Sequence, residues 1–84
     1  MDLKDRTLRE INRDIHWSKK AVVINIFHNY MLNMNSKWTI ANTSEDLKIS
    51  KAYVSECINL AKSLNDHPEM ISMSRNKALK LIRG

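Results

Sequence analysis

Between Thr39 and Leu64 the chain reads TIANTSEDLKISKAYVSECINLAKSL, and no other run so narrows the folds open to it. Val54, Cys57, Ile58, Ala61 and Leu64 follow one another at helical steps, so a helix here buries one apolar stripe. Ser50 stands just before it and suits the N-cap, where a hydroxyl accepts from a backbone N–H of the first turn. Upstream, Thr39 suits the N-cap of a shorter helix that closes at Leu47 and turns Ile40, Thr43, Ser44 and Leu47 inward. Only Lys48, Ile49 and Ser50 remain to join the two, with Ile49 as the apolar plug of the corner. Lys48 falls where such a corner most often holds Gly, and positive φ there costs another residue about 1 kcal/mol. The outer face of the second helix carries Lys51, Ser55, Glu56, Asn59 and Lys62, all polar. Helix, tight corner and polar second helix form the pattern of a helix-turn-helix that reads base edges in a major groove. A plain helical hairpin shares the polar face, but cap, corner and stripe agree with one another and favour the DNA reader.

The rest of the chain fits an all-α fold, a small bundle of about 4–6 helices. It has 84 residues, enough for one compact core, with one Gly at the C-terminus and one Pro. Residues 1–16 read as a charged surface helix or an arm, and residues 17–84 as the helix-turn-helix domain, with the motif at 39–64. Leu3, Leu8, Ile11 and Ile15 recur at roughly helical steps among interleaved acids and bases, which favours the surface helix. Next, Ser18 reads as the N-cap of a long helix, with Trp17 stapled onto Val22. Its apolar face is Val22, Val23, Ile26, Phe27, Tyr30, Met31 and Met34, broken by Asn33, Asn35 and Ser36. Met31, Met34, Met70 and Met73 read as gap-filling core. Beyond Leu64, Asp66 and Glu69 resemble a capping box around Pro68, and Ser74 caps a last helix that turns Ala78, Leu81 and Ile82 inward. Arg75, Lys77, Lys80 and Arg83 give that helix a basic face.

Fourteen Lys and Arg against nine Asp and Glu leave a net charge of +5, which favours a polyanion as partner. Cys57 is the single cysteine and lies on the buried stripe, so no disulfide framework is expected and a reducing cytoplasm fits. The longest apolar run, Ala21 to Ile24, is too short for a bilayer and the N-terminus too polar for a signal peptide, so neither membrane nor export is expected. One Gly at the C-terminus cannot form a phosphate loop, and His16, His28, His67 and Cys57 lack metal-ligand spacing. Each of these histidines reads as surface or half-buried, and Cys57 as packing. The expectation is a non-enzyme without cofactor.

The strings DLKISKAYVSECINLAKSL and HPEMISMSRNKALKLIRG resemble the helix-turn-helix domain of ParB-type and KorB-type DNA-binding proteins. The likeness rests on ISKAYVSE, the turn LAKSL and the closing KALKLIR, and spans roughly Trp17 to Arg83. It implies an all-helical domain gripping a DNA half-site with the helix behind Ser50. Ser50, Lys51, Ala52, Ser55, Glu56 and Asn59 match its groove-facing positions. Full partition proteins of this type add an upstream nucleotide-binding domain and a downstream dimerisation domain, for which this chain has no room, so the likeness implies a stand-alone regulator or a phage or plasmid accessory factor. The DNA-contacting set expected is therefore Thr39, Ser50, Lys51, Ala52, Ser55, Glu56, Asn59 and Lys62, with the N–H groups at Thr39 to Ala41 holding one phosphate. Double-stranded DNA is the expected partner and a homodimer the expected form, with Tyr53, Leu60 and the N-terminal segment as the contact. The alternative is a protein-interaction module that binds a host protein, such as a polymerase subunit, through Trp17, Trp38, Tyr30 or Tyr53.

Overall fold

The computed structural model describes residues 2–83, and they form a small all-α bundle. Its elements are α1 (Leu3–Ile11), α2 (Trp17–Met34), α3 (Ile40–Leu47), α4 (Lys51–Asp66), a 3-10 turn (Pro68–Ser72) and α5 (Arg75–Arg83). The most extensive contact is α2 on α4, and α4 also packs on α3, on the 3-10 turn and on α5. Phe27, Ile24, Leu47, Leu60 and Val54 are the largest fully buried side chains at the centre. Leu3, Leu8 and Ile11 lay α1 partly buried against this core.

Local chemistry explains the boundaries around α3 and α4. Thr39 caps α3 through a reciprocal pair: its hydroxyl accepts from Asn42 N–H while Asn42 Oδ1 accepts from Thr39 N–H. At the other end Lys48 takes the left-handed conformation, φ 58° and ψ 44°, as the corner requires. Ser44 ties that corner together. Its hydroxyl donates to the Ile49 carbonyl, and its own carbonyl accepts from Ile49 N–H at 3.1 Å. Ser50 then caps α4 by accepting from Tyr53 N–H at 3.0 Å.

Elsewhere the sequence reading needs correction. Ser18 lies inside α2 and His16 is the cap, its Nδ1 accepting from Ser18 N–H at 3.1 Å and facing Ser18 Oγ at 2.7 Å. Trp17 does not staple Val22, because its Nε1–H donates to the Met73 carbonyl 2.9 Å away, and Val22 is exposed. The buried side of α2 is Ser18, Ala21, Ile24, Phe27 and His28, while Val22, Ile26, Tyr30 and Met34 face outward. Polar residues enter that side because their hydrogen bonds are met inside, and small ones because they admit a neighbouring helix. Met34 is therefore no core filler, although Met70 is buried. No capping box forms at Asp66 and Glu69: α4 runs through Asp66, and the 3-10 turn starts without a side-chain cap. Ser74 does cap α5, accepting from Lys77 N–H, but Leu79 rather than Leu81 joins Ala78 in the core. Leu60 is fully buried too, since the 3-10 turn and α5 cover a second side of α4, and so it cannot be a dimer contact. No helix of the described chain is long and apolar enough to cross a membrane.

Candidate functional site

The outward stripe of α4 is a continuous polar row. Lys51, Ala52, Asn59 and Lys62 are exposed and Ser55 is half-exposed between them. The row stands between two grooves. One runs toward α5 and is lined by Ser55, Glu56, Asn59, Lys62 and Arg83; the other runs toward α2 and α3 and is lined by Asn29, Ile40, Ser55, Asn59 and Lys62. Six of the eight residues expected at the site thus fall along one edge: Ser50, Lys51, Ala52, Ser55, Asn59 and Lys62. Ser50 accepts the Tyr53 N–H with one lone pair of its hydroxyl oxygen, which leaves its O–H able to donate outward.

The other two are differently engaged. Thr39 is exposed, but Asn42 already accepts from its backbone N–H, so only Ile40 and Ala41 remain to offer N–H groups at that helix end. Glu56 is held by α5: Arg75 Nη2 donates to Oε1 at 2.8 Å, and Arg83 donates to Oε2. Arg75 also lies over the Tyr53 ring, 4.8 Å from its centroid. The Arg75 hydrogen bond, with the charges of both arginines, holds the Glu56 carboxyl below its ordinary range against a smaller opposing effect of burial. A free acid beside phosphate would repel it; this one has two cations bound to it.

Beneath the row lies a buried polar junction that sequence reading missed. Thr43 Oγ1 accepts from Trp38 Nε1–H at 2.8 Å and lies 2.7 Å from His28 Nδ1. Thr43 Oγ1 thus bonds both rings at once, its second lone pair or its O–H meeting His28 Nδ1. Burial pushes the His28 pKa down, and the nearby Lys62 ammonium pushes it further the same way. One hydroxyl thereby ties α2, α3 and the segment between them, with the Trp38 ring edge-on to Phe27. His28, expected at the surface or half-buried, is instead buried, with 7% exposed. The one signal for it was its register: His28 lies four residues after Ile24 and beside Phe27 on α2.

The anchors expected of a protein-binding face are mostly engaged. Trp17 and Trp38 are half-buried with both indole N–H groups bonded inside, and Tyr53 lies under Arg75. Only Tyr30 among them is exposed. Burial raises the Cys57 thiol pKa, which suits a packing role. Compared with protein-family models, curated proteins and solved structures, the chain gives no match. The likeness to ParB-type and KorB-type domains rests on the quoted residues alone.

Proposed function

We propose that this chain is a sequence-specific double-stranded DNA-binding protein, a non-enzymatic regulator or phage or plasmid accessory factor of the ParB or KorB type. In this reading α3, the Lys48–Ser50 corner and α4 work as a helix-turn-helix, with α4 in the major groove. The observation that carries it is the unobstructed polar row Lys51–Ser55–Asn59–Lys62 on a helix anchored by its N-cap and by core on two sides. Lys51 contacts a phosphate or a guanine edge, Ser55 donates or accepts, and Asn59 pairs with an adenine in two hydrogen bonds. Lys62, with Lys77 and Lys80 exposed on α5, attracts flanking phosphates. Glu56 serves here as the brace between α4 and α5 rather than as a reader of cytosine. Two copies on a palindromic site are the expected stoichiometry, and the cytoplasm the expected place.

Selection from random duplex DNA at about physiological salt tests this, with a Lys51→Ala/Asn59→Ala double variant as control. An enriched motif that the double variant loses supports the reading. In such a motif Asn59→Ala alone costs about 1–3 kcal/mol at one base position. Binding without any motif, or none, removes it and leaves a protein partner as the function of the fold.

A further inference from the structure

The groove between α4 and the α2–α3 side is lined by one further residue, His28, which is more than nine-tenths buried. Its Nδ1 meets Thr43 Oγ1 at 2.7 Å, while Nε2 has no hydrogen-bond partner among the described residues. No fully enclosed side-chain nitrogen or oxygen of those residues lacks a partner, so Nε2 must open on the groove. Around it the lining supplies Ser55, Asn59 and Lys62 from α4, Asn29 from α2 and Ile40 at the start of α3. No carboxylate is among the lining residues.

We propose that this groove seats one backbone phosphate of bound DNA between the Lys62 ammonium and His28 Nε2, the imidazole taking up a proton from water as the phosphate enters. The proposal deepens the DNA reading and rests on it. Ser55, Asn59 and Lys62 also belong to the exposed polar row, so a duplex that meets the row brings its backbone to this groove.

Charge selects the ligand. Burial, and after it the Lys62 ammonium, hold the free His28 ring below its ordinary pKa, so the ring is mainly neutral at pH 7. An anion between the two groups cancels their repulsion and favours the charged ring. Lys37 before α3, Glu45 and Asp46 on α3, and Lys51 and Glu56 on α4 all lie outside the lining. Lys62 is therefore the charge that the ring faces across the groove. α3 begins at Ile40, and the positive end of its dipole adds to the same potential. Protonation also leaves the junction whole. Thr43 Oγ1 has two lone pairs, enough to accept from Trp38 and from a protonated Nδ1 together.

NMR of the histidine rings, titrated with pH in the free full chain and in its complex with a duplex carrying the selected motif, measures this. Sodium sulfate, a free anion, replaces the duplex in a parallel series. The duplex should tighten the hold of His28 on its proton about tenfold, read as a rise in its pKa, and move exposed His16 and His67 less. Duplex affinity should accordingly rise by up to about tenfold from about pH 7.5 to about pH 5.5, a gain that His28→Gln loses. The ring titration of the unsubstituted chain decides the matter if that variant does not fold. A duplex that binds without moving His28, or that moves all three rings alike, overturns the seat and leaves the DNA reading standing. A response to sulfate but not to duplex overturns it as well, since the groove then holds a free anion. A duplex that does not bind removes the DNA reading, and this seat with it.

Discussion

Single residues set the corner and the junction beneath it. Lys48 holds a left-handed backbone at φ 58°, which costs a residue with a Cβ more than it costs glycine. Replacing Lys48 with Gly should stabilise the protein by about 0.5–1 kcal/mol, the gain in strain being partly offset by a looser unfolded chain, as urea unfolding will measure. Thr43 works in the opposite sense. Thr43→Val keeps the shape but leaves Trp38 N–H and His28 Nδ1 unmet in the core, and should cost about 1–3 kcal/mol; a loss below a few tenths would show the junction to be dispensable. His28 gives the fold a pH dependence of known sign. Its native pKa lies below the ordinary 6.5, so the unfolded chain takes up the proton first. Stability should be level above about pH 6.5 and fall as pH drops from there toward the lower native value. His28→Gln should flatten that stretch of the curve, and an unchanged slope would show that His28 is not its source. At this scale the sequence spoke clearly at Ser50, Thr39 and Lys48, whose partners are near neighbours, but not at every local cap, since His16 rather than Ser18 starts α2. It was silent where the partner is remote, as for the Thr43 hydroxyl and the Trp17 indole.

Among elements, α4 and α5 are joined by one carboxylate and two guanidinium groups. Glu56 is a quarter exposed on its side chain, so the network adds little stability, under about 1 kcal/mol. Because its native pKa is lowered, that contribution is complete above the ordinary 4.5 and drains away as pH falls below it. Binding discriminates more sharply. In the proposed DNA complex Glu56→Gln releases Arg75 and Arg83 and removes a negative charge, so affinity should rise on all sequences with a steeper salt dependence. A loss confined to one base position, read by titrating single-base variants of the selected site, would make Glu56 the base reader expected from the sequence. The spacing of Arg75 and Arg83 places both on one side of α5, but which acid meets them depends on how α5 folds back over α4. The face of α2 was misread for a related reason. Apolar residues surround that helix on most sides, so periodicity alone leaves its orientation open, and the neighbours decide which side is covered. On α4 one stripe dominates and its buried residues were legible in full, Leu60 excepted.

For the whole molecule, the surplus of positive charge should show itself as salt dependence. With Lys51, Lys62, Lys77 and Lys80 near phosphate, log affinity should fall with log salt at a slope of about −3 to −4. Fluorescence titrations across salt concentrations measure this, and a flat response would turn the reading toward an apolar protein contact. The all-helical architecture was readable because a lone Pro and a lone Gly leave few places to break helices; the wrapping of α5 and the 3-10 turn over α4 was not, since short amphipathic pieces dock wherever core is left open. The dominance of α2 against α4 has a further consequence, in time rather than in energy. The two helices meet across the centre of the chain, and α5 closes over them last in sequence. Refolding should therefore be limited by the docking of Ile24 and Phe27 with Val54, so that Ile24→Val slows folding while Leu79→Ala chiefly speeds unfolding. Stopped-flow kinetics would separate the two arms, and an Ile24→Val variant that altered only the unfolding rate would place the nucleus elsewhere.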